Sequence, residues 1–116
     1  MTPDAFRKLA LAVDDAVEGG HMDHPDFRIG GRIFATLGYR NAGHAMVKLS
    51  PEEQAVVIAA HSDVFAPASG AWGRAGSTIV NLAPAKSASV ARAVELAADL
   101  ARALGPTKSR PKKKKA

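Results

Sequence analysis

The chain has 116 residues, 47% hydrophobic and 23% charged, which leaves room for one ordinary globular domain. It has no cysteine, which excludes a disulfide scaffold, a thiolate zinc site and a cysteine nucleophile. The formal net charge is +5, but its placement is uneven: Lys108, Arg110, Lys112, Lys113, Lys114 and Lys115 all follow Pro106, with no acid among them. Residues 1–105 therefore hold ten Lys/Arg against eleven Asp/Glu, a net of −1. The folded part is expected to be nearly neutral, with the basicity confined to a terminal segment. No apolar run approaches ~20 residues, so no membrane insertion is expected. The opening residues lack a basic start and an apolar stretch, so a cytoplasmic protein is expected.

In chain order, Thr2-Pro3 offers an N-cap and a first-turn proline. Phe6, Leu9, Ala10, Val13, Ala16 and Val17 follow at spacings of three and four, which predicts a helix over 3–17 closed by Gly19-Gly20. The period then changes. Phe27 and Ile29, then Ile33, Ala35 and Leu37, alternate with other residues, predicting strands over 27–29 and 32–37. A tight Gly30-Gly31 turn alone would set Phe27 opposite Phe34, so a bulged turn that takes in Arg32 is expected. Residues 45–49 read as a third strand and Ser50-Pro51-Glu52-Glu53 as a capping box opening a helix over 51–61. Residues 66–76 read as a glycine-rich loop and 78–82 as a strand. A helix over 87–104, with Gly105 as its cap and Pro106 as its stop, ends the domain.

This order predicts an α+β two-layer domain over 1–105, an antiparallel sheet with helices packed on one face. The expected core is Phe6, Leu9, Val13, Phe27, Ile33, Leu37, Val47, Leu49, Val90, Val94 and Ala101. Residues 106–116 lack apolar anchors and are expected to be disordered.

Several motifs resemble the MmcQ/YjbR family. They are His24-Pro25-Asp26-Phe27-Arg28, Gly30-Gly31-Arg32-Ile33-Phe34-Ala35-Thr36-Leu37-Gly38 and Met46-Val47-Lys48-Leu49-Ser50-Pro51-Glu52-Glu53-Gln54. Phe65-Ala66-Pro67 and Gly70-Ala71-Trp72-Gly73-Arg74-Ala75-Gly76-Ser77-Thr78 complete the match, over roughly residues 5–104. The chain departs at Ser77, where many members carry Trp, and at His44, where a bulkier aromatic is expected. The resemblance implies a secretion-chaperone-like α+β fold and a DNA-binding label, and brings no catalytic motif.

Four sets of residues are candidate sites. His21, Asp23 and His24 offer imidazole and carboxylate ligands, but a metal site needs three or four that converge; surface histidines around Pro25 are the plainer reading. Gly70, Gly73 and Gly76 beside Arg74 match no phosphate-binding fingerprint, which favours a simple connection. Trp72 is expected to pack at the core edge rather than to stack on a ligand.

The basic residues of the sheet point further. Arg28, Arg32, Arg40 and Lys48 lie between Phe27 and Leu49 with no acid among them. The bulged register places Arg28, Phe34, Thr36, Met46 and Lys48 on the face away from the helices, where cations and aromatics can hold phosphates and bases.

The resulting expectation is a non-enzymatic module without cofactor or metal. It would bind DNA or RNA non-specifically through Lys108, Arg110, Lys112 to Lys115, Arg28, Arg32 and Lys48. An anionic membrane surface would also attract the lysines. The alternative is a protein-interaction or chaperone-like module that forms a homodimer or meets a protein partner.

Overall fold

A computed structural model describes residues 1–21, 24–38 and 43–106, with His21 described at its backbone only. Helix α1 (Pro3–Leu11) starts where Thr2 caps it, its hydroxyl accepting from the Ala5 N–H. It buries Phe6 and Ala10. The expected helix over 3–17 is thus too long. The chain turns through Asp14 and Asp15, where Asp15 takes a positive φ of 69°, a conformation that short polar residues tolerate. Arg102 donates to the Asp14 carbonyl at 2.9 Å and ties that turn to the last helix. Val17–His21 then forms strand β1 rather than a helix end. Its Gly19-Gly20 pair allows β1 to cross close to β2 (His24–Ile29): a Cβ at Gly20 would lie 2.7 Å from the His24 carbonyl oxygen.

β2 and β3 (Arg32–Leu37) meet in a two-residue turn, with φ of 59° at Gly30 and 81° at Gly31. Two positive φ values in succession suit a tight hairpin. The expected bulge exists, but not at Arg32. Ile29 pairs with Arg32 and Arg28 with Ile33, whereas Phe27 pairs with Ala35. Phe34 is the extra residue. A bulge of this kind turns neighbouring side chains toward one face. Phe34 consequently joins Phe27 and Ala35 in the core, and Ile33 is only partly buried. Both outcomes reverse the expected facing of residues 33 and 34.

β4 (His44–Lys48) and α2 (Pro51–Ala60) follow as expected. The capping box is complete: Ser50 accepts from the Glu53 N–H, and Glu53 accepts from the Ser50 N–H. The segment read as one loop contains two elements, β5 (Phe65–Pro67) and the single-turn α3 (Gly70–Arg74). β6 (Ser77–Asn81) and α4 (Ser87–Leu104) complete the chain. The sheet order is β1-β2-β3-β4-β6-β5, with every neighbouring pair antiparallel.

Helices α1 and α4 pack on the face that carries Phe27, Ala35, Leu37, Val47 and Val80. The α4 contact face is Val90, Ala93, Val94, Ala97, Ala98 and Ala101, a helical stripe of mostly small residues. The fold is therefore the α+β class expected. Leu9 and Val13 lie at the rim, partly buried against the core. Met46, expected outside, is buried on the opposite face. Among the described residues no helix is long and apolar enough to cross a membrane. Residues 107–116, where disorder was expected, lie outside those described.

Phe6 is fully buried, with its ring centroid 6.4 Å from that of Phe27. Phe6→Ala should destabilise the domain by about 3–5 kcal/mol in denaturant unfolding. Leu9→Ala should cost less, because its side chain keeps water contact. Equal losses would show that α1 is not docked through Phe6.

Candidate nucleic-acid interface

The end of the sheet formed by the Gly30-Gly31 turn gathers Arg28, Arg32 and Lys48, the basic residues expected at the site that are described. Arg28 and Asp26 are two apart on β2 and so share the outer face. Arg28 grips the Asp26 carboxylate with two hydrogen bonds, Nε to Oδ1 at 2.8 Å and Nη2 to Oδ2 at 3.0 Å. These bonds, with the charge attraction, raise the Arg28 pKa above its ordinary value. A raised pKa adds stability that is lost only as pH rises through it, so this pair is indifferent to pH on the Arg28 side throughout the neutral range.

Arg32 points the other way. Its Nε donates to the Gly105 carbonyl at 2.9 Å, at the C-terminal end of α4. A cation suits that position, since exposed helix carbonyls and the helix dipole both favour it. Gly30 lies beside Pro106: a Cβ on Gly30 would come within 3.3 Å of the proline ring. The chain therefore leaves α4 next to the β2–β3 turn.

Lys48 ends β4 on the outer face, exposed, with Nζ 5.6 Å from the centroid of the Trp72 ring. That is within cation–π range. Trp72 is 62% exposed, so it does not serve as the core-edge anchor expected of it. Other groups hold its helix in place. Gln54 on α2 donates to the carbonyls of Gly73 and Ser77, both at 3.0 Å. A Cβ on Gly73 would overlap the Ala68 carbonyl oxygen, and one on Gly76 the Leu49 carbonyl oxygen. The glycines serve backbone packing. The N–H groups of Ala75 and Gly76 are already bonded within the turn, which argues against a phosphate cradle there.

A cleft of about 400 Å³ opens at this end, lined by Arg32, Ile33, Lys48, Leu49, Ser77 and Leu104 among others. Arg28 and Lys48 stand two strands apart, about 10 Å at the usual strand spacing. The structure thus brings Arg28, Arg32, Lys48 and Trp72 to one end without making a single strip. Two of the three cations are committed to protein partners. Arg40, Asp23 and the six basic residues from Lys108 to Lys115 lie outside the described residues. His24 is exposed, and no group of three His, Asp or Glu able to hold a metal occurs among the described residues.

The YjbR family model matches residues 11–102. The chain belongs to the YjbR family. No curated protein matches it. Among solved structures, it is similar to the crystal structure of Deinococcus radiodurans protein DR2400, which carries the DUF419 domain. That likeness has a TM-score of 0.74 at 18% identity and covers 96% of this chain and 86% of the other. It establishes the YjbR-like fold.

Trp72 is expected at the core edge because an aromatic in a small domain usually finds cover, and the structure exposes it instead. The flanking Gly73 and Gly76 were the available signal, since glycine spacing that serves backbone contact leaves the intervening side chain outside. Gly73→Ala and Gly76→Ala should each destabilise the domain by more than 2 kcal/mol, through backbone overlap. Gly70→Ala should cost only about 1–2 kcal/mol, for its left-handed φ of 66° with no neighbour within 4 Å. Thermal melting of the three variants checks the order.

Proposed function

We propose that this YjbR-family domain is a non-enzymatic module that binds nucleic acid weakly and without sequence preference. One observation carries the reading: α4 ends, through Gly105 and Pro106, beside the sheet end that bears Arg32, Lys48 and the exposed Trp72, and the Lys-rich residues follow next in the sequence. Lys108, Arg110 and Lys112 to Lys115 supply charge, which attracts phosphates and displaces their counterions. Lys48 and Trp72 supply orientation: an ammonium for a phosphate and a ring on which a base can stack. Arg28 is offset by the Asp26 carboxylate that holds it and adds little net charge, and Arg32, held at the α4 terminus, adds positive potential more than a direct contact. Binding of this kind asks nothing of the domain but charge and an aromatic face. It fits a body whose own net charge is −1.

Binding to duplex DNA should show a slope of log K against log[salt] of about −4 to −5, if four to six of the segment's basic groups engage. A chain ending at Pro106 should lose most of the affinity and most of the slope. Trp72 is the sole tryptophan, so its fluorescence reports on the domain directly. Single-stranded oligonucleotide should quench it, and Trp72→Ala should weaken single-strand binding by about 1–3 kcal/mol, the usual worth of a stacked base. Lys48→Ala should matter more than Arg28→Ala. Equal affinity of the shortened and full chains would move the anchor to the body. No binding by either at low salt would overturn the proposal.

A further inference from the structure

After a polar first turn, helix α2 is apolar on every side from Ala55 to Ala60, yet only Val57 is buried. Ala55, Val56, Ala59 and Ala60 are exposed, and Val56 keeps 67% of its surface open. A helix apolar on every side is normally covered on every side. Beside it runs a groove of about 710 Å³ between α2 and the first half of α4, with Val56, Val57, Phe65 and Leu96 in its apolar lining. The two walls differ in charge. Glu52 and Glu53 stand on the α2 side, and Lys86 and Arg92 on the α4 side.

We propose that this groove receives α2 of a second copy of the chain, in a two-fold dimer. The charge pattern selects that occupant. An entering α2 brings its own Glu52 beside Val56, and it meets a wall that carries Lys86 and Arg92. Two-fold symmetry repeats the contact, so one surface is complementary to itself. The Lys-rich segment is a poor occupant, because residues 107–116 have no large apolar side chain to place against Phe65 and Leu96. Pairing through the adjacent sheet edge is disfavoured too. β5 is a three-residue edge strand that ends in Pro67, and both features discourage strand addition.

Sedimentation velocity on the nucleic-acid-free full chain tests the proposal. The expected species has twice the 12.1 kDa chain mass. Val56→Asp should return the protein to the monomer mass with its far-UV circular dichroism unchanged. Arg92→Glu should weaken the dimer about fivefold, as removal of a rim charge pair does. Adding Glu52→Lys to Arg92→Glu should restore it. A wild-type monomer even at about 200 μM, where mass action favours association, would overturn the proposal. So would a dimer indifferent to Val56→Asp. Should Val56→Asp fail to fold, the charge pair decides: no loss with Arg92→Glu, or no recovery in the swap, sinks the dimer through this groove.

Discussion

The extra residue at Phe34 sets the relation between the two faces of the sheet. Without it, β2 and β3 would pair from the Gly30-Gly31 turn in strict alternation, and Phe27 would face Phe34 across the ladder. With it, Phe27 meets Ala35, and Phe34 turns inward beside them. Cross-strand partners point to the same face, so both rings would share a face in either register; the insertion brings Ala35 and Leu37 onto that face with them. The strand between the bulge and the turn is then free to aim differently. Arg32, at the start of β3, reaches the α4 terminus, and Arg28 stays outside against Asp26. The charge distribution at this end of the sheet is a consequence of where the hairpin takes up its extra residue.

A second constraint is backbone proximity around α3. Gly73 lies against Ala68 and Gly76 against Leu49 at distances that no Cβ could enter. Gln54 bonds the Gly73 and Ser77 carbonyls and also the Thr78 hydroxyl, at 3.2 Å. A single-turn helix has little stability of its own. Here its position is fixed by neighbours on both sides, Ala68 and Leu49 through the glycines and Gln54 through hydrogen bonds. The Trp72 ring stands exposed, with Lys48 Nζ 5.6 Å from its centroid. Were Trp72 to stack on a ligand as proposed, such a placement would lower the ordering cost, because the aromatic would already be positioned.

The parts legible in the sequence are those where pattern and local chemistry agree. α4 carries a long small-residue stripe between a polar start and Gly105, and its ends at Ser87 and Leu104 are those expected. The capping box at Ser50 fixes the start of α2 in the same way. Legibility failed where tertiary contacts override local signals. Val13, Ala16 and Val17 continue the period of α1, but β1 is needed to pair with β2, and the Gly19-Gly20 pair that looked like a helix stop allows that crossing. Phe65-Ala66-Pro67 is too short to show any period, and only pairing with β6 makes it a strand. At the candidate site, the sequence revealed which residues are basic but not what holds them. The Asp26–Arg28 pair is visible as an i, i+2 spacing only once residues 24–29 are known to be a strand.

α4 links the two proposed surfaces. At about 1.5 Å per residue it spans ~27 Å, with the groove along its first half and the basic segment rooted at its last turn. A lone lysine cluster binds nucleic acid with the weak affinity of non-specific contacts, commonly 10⁻⁴–10⁻⁶ M at physiological salt. A dimer through α2 would carry two such clusters on one rigid body. The second cluster then binds at the effective concentration set by its tether rather than at the bulk concentration. Avidity gained this way needs no new contact and no sequence readout. It would also steepen the salt dependence, since twice as many phosphates release counterions per binding event. The near-neutral body is consistent with this division of labour: two folded domains of charge −1 can approach each other closely, whereas two bodies each bearing the full +5 would repel at short range.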